Sequence, residues 1–184
     1  MKPTEQLKAE HEGIKVMLRI LEKARARLES TGEVNTGHLN QILEFIKVFV
    51  DKCHHGKEEA LLFPAMEEAG IPRKGGPIGI MLAEHEMGRS YVKGMSEAFD
   101  RYKASDRTSS SKLIKNAHDY ITLLTAHIDK ENTILFPIAD SHLPEKKQQE
   151  LIAAFEKLEI EEIGIGTHEK FHDLLHHLKE IYLA

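Results

Sequence analysis

The sequence predicts an all-α protein, an antiparallel up-down four-helix bundle, on three observations. Apolar residues recur at steps of three and four through four long segments, and no segment of comparable length alternates with period two. The two halves of the chain also match when slid by 73 or 74 residues. Ala9-Glu10-His11-Glu12 returns as Ala83-Glu84-His85-Glu86, and His54-His55-Gly56-Lys57-Glu58 with Leu62-Phe63-Pro64 returns as His127-Ile128-Asp129-Lys130-Glu131 with Leu135-Phe136-Pro137. The repeating unit is a helical hairpin. Two pseudo-repeated hairpins joined by short loops then build the bundle around an approximate internal two-fold axis.

The first segment, roughly residues 4 to 30, follows Leu7, Ile14, Leu18, Leu21 and Leu28 and ends in Ser30-Thr31-Gly32. The second, about 37 to 68, follows Leu39, Leu43, Ile46, Val50 and Leu61 and stops at Gly70-Ile71-Pro72. Gly75-Gly76-Pro77 starts the third, with Pro77 suited to a first helical turn, and Ile78, Met81, Val92, Met95, Phe99 and Tyr102 carry it to about residue 104. A polar, turn-rich stretch from Asp106 to Ser111 precedes the fourth, which follows Ile114, Ala117, Ile121, Leu124 and Ile134 or Leu135. Pro64 and Pro137 each interrupt a helical pattern late and predict a kink or a restarted turn.

The chain's 184 residues, 41% hydrophobic and 30% charged, suffice for one compact core, with residues 1–140 as the bundle and 141–184 as a C-terminal helical extension packed on it. A net charge of −5, without an Arg/Lys cluster interleaved with aromatics, argues against a nucleic-acid partner. No run reaches the roughly 18 apolar residues of a membrane span. The single cysteine, Cys53, forms no internal disulfide, and residues 1 to 6 lead into a charged amphipathic stretch rather than an apolar signal core, so the expected location is cytoplasmic. The composition is unusual only in its 12 histidines.

Their placement is informative because the apolar ladders close only if certain polar residues count as interior. The runs are Leu7, His11, Ile14, Leu18; Ile46, Val50, His54, Glu58, Leu61; Ile78, Met81, His85, Gly88, Val92; and Ile121, Leu124, His127, Glu131, Leu135. Each helix thus aims one histidine at the axis, and the second and fourth add a glutamate four residues later on the same face. Burying ionised carboxylates without a partner costs several kcal/mol or more, so four His and two Glu converging in a core call for positive charge. Two carboxylates from opposite helices can bridge two metal ions while imidazoles fill terminal positions. A nitrogen/oxygen donor set of this kind suits iron or manganese better than magnesium or copper(I), and zinc also accepts it.

These residues resemble the hemerythrin-like family, the HHE cation-binding domain, over roughly residues 7 to 140. The resemblance rests on the paired signature His-x-x-x-Glu-x-x-x-Leu-Phe-Pro, each copy preceded by a helix bearing a single His. It implies a four-helix bundle around a non-haem di-iron centre, two iron ions with an oxo or hydroxo bridge, that takes exogenous ligands such as dioxygen. Carried over residue by residue, it makes His11, His54, His85 and His127 terminal iron ligands and Glu58 and Glu131 bridging carboxylates. Oxygen-carrying hemerythrins have His-x-x-x-His on the third helix, whereas here Arg89 stands four residues after His85. The irons would then keep more open positions or recruit a ligand from elsewhere.

The extension offers candidates. After Leu143-Pro144, a short amphipathic helix with Leu151, Ile152, Phe155 and Leu158 leads through acidic residues 159 to 162 and Gly164-Ile165-Gly166 to His168, His172, His176 and His177. A spacing of four puts His168, His172 and His176 on one stripe, either as part of a helix packed by Phe171, Leu174, Leu175 and Leu178 or with His168 or His172 closing one end of the metal site. His168-Glu169-Lys170-Phe171-His172 also matches the His-Glu-x-x-His pattern of zinc proteases, but such an enzyme needs a third ligand on a separate element and a substrate-binding strand. Cys53 lies near the apolar face and reads as a small buried hydrophobe. His38, His118 and His142 sit at helix ends or off the inner ladders.

Three functional readings follow. The centre binds dioxygen, nitric oxide or iron itself as a sensing, storage or stress-response module. Alternatively, open iron positions support redox chemistry such as peroxide or nitric oxide reduction, or iron delivery for repair, with electrons from an external donor. In the third, zinc or manganese has a chiefly structural role. No cofactor fingerprint or Cys cluster accompanies the site, which favours the first.

Overall fold

The computed structural model describes residues 1–184, and they form helices joined by short turns, with no strand. The first helix, α1 (Pro3–Thr31), begins with Pro3 in its first turn and the Glu5 carboxylate accepting from the Lys2 backbone N–H at 2.8 Å. It ends at Gly32, whose φ of +74° lets its N–H return to the Leu28 carbonyl.

Helix α2 spans 36–68 without a break but changes its winding. Asn35 caps its α-helical start, Thr36–Phe45, by accepting from the His38 N–H at 2.9 Å. It then winds as a π-helix over Ile46–His55 and again over Glu58–Leu62, and closes in α-helical turns over Phe63–Glu68. Helix α3 is Pro77–Lys103. Helix α4 spans 110–142, with α-helical turns over Ser110–Lys130, π turns over Glu131–Leu135 and α-helical turns over Phe136–His142.

Two of the π runs end immediately before Phe63-Pro64 and Phe136-Pro137, where the sequence predicts a kink or a restarted turn. Proline has no N–H to give and its ring crowds the carbonyl four residues back, and the wider turn accommodates both without ending the helix. The π winding also decides which residues face inward. In a 3.6-residue turn each step of four overshoots by about 40°, so a ladder of fours drifts off its face, whereas a π turn, with more than four residues, turns each such step back the other way. Ile46, Val50, His54, Glu58 and Leu62 are all buried, and Leu62 takes the place expected for Leu61. In α4 the buried residues include Leu113 and Leu135, while Ile134 is exposed.

Side-chain contacts give the relative sense of two helix pairs. Thr4 donates to Asp140 at 2.6 Å and His11 lies 2.8 Å from Asn132, so α1 and α4 run past each other in opposite senses. His85 meets His127 while Gly94 lies against Asn116, and α3 and α4 do the same. The apolar core is in two parts, one with Ile14, Phe45, Val50, Met95 and Phe99 and the other with Leu7, Phe63, Ile78, Met81 and Phe136. On each of the four long helices, the expected histidine lies between a residue of one part and a residue of the other.

The extension forms two helices, α5 (Glu145–Ile163) and α6 (Thr167–Tyr182), joined by Gly164 and Gly166, both at positive φ. The short helix expected around Leu151 is therefore longer, because acidic residues 159 to 162 continue it instead of connecting it to the next. Phe155 packs into the second apolar part, whereas Phe171 and Leu178 join the first, with the Phe171 ring edge-on to Phe45 at 5.5 Å. No helix is long and apolar enough to cross a membrane.

Candidate metal centre

All six residues that the interior ladders single out meet in the buried layer between the two apolar parts. His11, His54, Glu58, His85, His127 and Glu131 are each at most 1% exposed. The imidazoles stand in two pairs: His11 Nε2 is 3.0 Å from His54 Nε2, and His85 Nε2 is 3.1 Å from His127 Nε2. Each carboxylate spans both pairs. Glu58 places Oε1 3.5 Å from His54 Nε2 and Oε2 3.3 Å from His85 Nε2, while Glu131 places Oε2 3.1 Å from His11 Nε2 and Oε1 3.1 Å from His127 Nε2.

The other ring nitrogens are held from outside, and the internal repeat governs how. His54 Nδ1 donates to Glu10 at 2.7 Å and His127 Nδ1 to Glu84 at 2.9 Å. His11 Nδ1 donates to Asn132 at 2.8 Å and His85 Nδ1 to Glu59 at 2.6 Å, each acceptor directly following a central glutamate. An ionised carboxylate can only accept, so Nδ1 carries the hydrogen and, in the neutral ring, Nε2 presents its lone pair to the centre. Acceptors at Nδ1 of this kind fix both the tautomer and the orientation of an imidazole that can bind a metal through Nε2.

Each outer carboxylate has its own cation. Glu10 is 2.5 Å from Lys57 Nζ, Glu84 contacts Lys130, and Glu59 is 2.7 Å from Arg89. Burial alone would raise the pKa of Glu10, but His54 and Lys57 more than reverse this and lower it. Glu58 and Glu131 have no such cation. Their four oxygens are buried without one hydrogen bond, although ring nitrogens stand 3.1–3.5 Å away. Burial disfavours charge on His85, yet Glu58 and Glu59 raise its pKa to about 9, and the charge of His127 and His11 holds Glu131 well below the ordinary carboxylate range against its own burial. The site calls for positive charge, and its nitrogen and oxygen donors fit a metal ion.

Two groups of potential donors emerge, each with its atoms within 4.8 Å of one another: His11, His54, Glu58 and Glu131, and His55, Glu58, His85 and His127. His55 is not among the residues expected from sequence. In a regular α-helix it would point about 100° away from His54, but the π turn swings it inward to stack on His85 with ring centroids 3.8 Å apart. Burial, followed by the neighbouring His85, His54, His127 and Arg89, holds it well below the ordinary histidine pKa and therefore neutral, the metal-binding form. The His54-His55 doublet was the available signal. On the same side, a cavity of about 420 Å³ is lined by His55, His85, Gly88, Arg89 and Tyr120 and reaches exposed Lys93 at its rim. Arg89 is anchored there by Asp51 at 2.9 Å, by Glu59 and by Glu86.

His168 and His172 are in neither donor group. His168 donates Nδ1 to Glu159, whose other oxygen accepts from Lys57. Cys53 is fully buried, and burial pushes its thiol up to about 12. His38 pairs with the Tyr182 hydroxyl at 2.9 Å.

Comparison with known proteins matches residues 2–139 to the Hemerythrin HHE cation binding domain. The chain is 24% identical over 160 residues to an uncharacterized protein of Mycobacterium bovis and to uncharacterized proteins from two strains of Mycobacterium tuberculosis. These alignments cover 87% of this chain and 62% of each relative, so the chain spans less than two thirds of their length. No solved structure matches it.

Proposed function

This chain belongs to the hemerythrin HHE cation-binding family, and from that premise we propose that it binds two iron ions between its four long helices and presents them to a small exogenous ligand. In this reading residues 1–140 form the antiparallel up-down bundle and 141–184 an extension covering one side. His11 and His54 hold one ion, and His85 and His127, joined by His55, hold the other. Glu58 and Glu131 bridge the two.

The supporting observation is the set of four carboxylate oxygens, buried without a hydrogen bond and facing paired imidazole nitrogens. Iron at this position supplies reversible ligand binding and one-electron redox capacity. The chain supplies orientation and access. Glu10, Glu59, Glu84 and Asn132 fix the rings through Nδ1, and the apolar layers on either side exclude water. The cavity beside His55 and His85 gives a dioxygen- or nitric oxide-sized ligand, or peroxide, a route to that side of the centre. Arg89 places a fixed positive charge along that route. Sensing or storage of such a ligand is the function this arrangement supports best.

The reading is tested by metal content. Replacing Glu58 or Glu131 by Ala removes a bridge and drops bound metal below two ions per chain. If both variants kept two ions and the wild-type absorption spectrum, the assignment would be wrong.

A further inference from the structure

The extension repeats, on its own surface, the local signature of the buried centre. His168 and His172 stand one turn apart on α6 with rings inclined by 20° and centroids 4.8 Å apart, and their Nε2 atoms approach to 2.9 Å. His168 Nδ1 is committed to Glu159 Oε1 at 2.8 Å. That bond orients the ring and, in the neutral form, leaves the lone pair of Nε2 facing His172, as Glu10 does for His54 inside the bundle. At this distance either a proton lies between the nitrogens, as when a His172 Nε2–H donates to His168, or both lone pairs meet a cation.

We propose that His168 and His172 form a second, solvent-facing site for a divalent transition metal of zinc type, separate from the buried centre. An i, i+4 pair on a formed helix is already arranged for chelation. Imidazole suits zinc, nickel and copper(II). Two nitrogens at about 2.0–2.1 Å from a tetrahedral ion lie about 3.3 Å apart, so the rings need only swing open by a few tenths of an ångström.

The surroundings favour a metal over a shared proton as the pair's working occupant. The His168 side chain is 28% exposed and His172 is at the surface, so an ion arrives without crossing the core. Behind the pair lies a cavity of about 150 Å³ lined by Gln6, Glu10, Phe49 and Phe171, which leaves room for further donors or water in the rest of the coordination shell. The His-Glu-x-x-His pattern is thereby accounted for without a protease. Its two histidines bind metal, but Glu169 is exposed and the fold has no strand to hold a peptide.

The site is joined to the buried centre by contacts running from His168 through Glu159, Lys57 and Glu10 to His54. Its existence does not depend on which metal fills that centre.

The test is zinc uptake by the full chain with its buried centre already loaded, read by elemental analysis after equilibrium dialysis against zinc at neutral pH. Wild type takes up one more zinc per chain than His172→Ala or His168→Ala, while His176→Ala, altered at an exposed histidine one turn further on, keeps it. The difference between wild type and His172→Ala is the readout, so the result stands whether the buried centre holds iron or another metal. Unchanged thermal unfolding of His172→Ala shows that the fold is intact, and long-range proton–nitrogen spectra of the wild type show both Nε2 resonances shifting with zinc. Equal zinc in wild type and His172→Ala, or Nε2 resonances that ignore zinc, would overturn the proposal and leave a shared proton between the rings.

Discussion

Lys57, which has no exposed surface, donates from Nζ to Glu159 at 2.8 Å and so ties the C-terminal extension to the outer shell of the metal centre. The same nitrogen holds Glu10, which orients His54. In the other half of the repeat, Lys130 serves Glu84 and His127 in the same way, but its side chain is 36% exposed. The repeat therefore places one lysine in a buried junction and its counterpart near water.

This asymmetry predicts unequal costs for the same substitution. Lys57→Met takes from buried Glu10 and partly buried Glu159 the one cation they share and should destabilise the fold by about 3–5 kcal/mol. Lys130→Met removes a partly solvated pair and should cost about 1 kcal/mol or less. Chemical unfolding of both variants measures the difference; equal losses would contradict the role given to the Lys57 junction.

The junction also sets a pH dependence. Hydrogen bonding by His168, followed by Lys57, lowers the Glu159 pKa to about 2 from an ordinary value of 4.5, against partial burial. A depressed carboxylate adds stability that is fully present above its unfolded pKa and lost as pH falls through its folded pKa. His168, raised above 6.5 by Glu159, adds stability that is full below 6.5 and is lost as pH rises through its folded value. Docking of α5 and α6, followed by hydrogen exchange of their amides, should thus be firmest between about pH 4.5 and 6.5. It should loosen as pH falls from about 4.5 toward about 2, and Glu159→Gln should flatten the acid limb. Lys57, Glu10, Cys53 and His172 are the other charged or titratable groups at this junction.

The acceptors at Nδ1 predict a difference between the two metal positions. His85 is oriented by a carboxylate, Glu59, where the repeat gives His11 an amide, Asn132. Glu59→Gln should weaken metal binding by about tenfold, measured by competition with a chelator. Asn132→Asp should strengthen it. Unchanged affinity in both variants, or a change in the reverse direction in either, would mean that the Nδ1 acceptors do not tune the centre.

Much of this arrangement was legible in the sequence. Six interior polar residues followed from period and repeat, because the inward step of each helix is encoded in its apolar neighbours. His55 was not, since its inward turn depends on π winding, and apolar spacing reads a π turn as an ordinary helix with one step misplaced. The same winding put Leu62 where Leu61 was expected. The pairing of His168 with His172 was visible as a spacing of four, but its partner Glu159 came from a stretch read as a connection rather than as the last turns of α5.

If His55 belongs to the metal shell, His55→Ala should open a position on the cavity side while the remaining donors keep the ion. Metal content should stay at the wild-type value and azide affinity, followed by visible titration, should rise. Unchanged azide affinity would place His55 outside the shell.

The central claim, a buried pair of iron ions that meets exogenous ligands, is tested most directly by elemental analysis after expression with iron supplied, combined with visible spectra in air and after anaerobic reduction. The account predicts two irons per chain and charge-transfer bands that bleach on reduction. Zinc, or no metal, in the buried centre together with a featureless spectrum would contradict it.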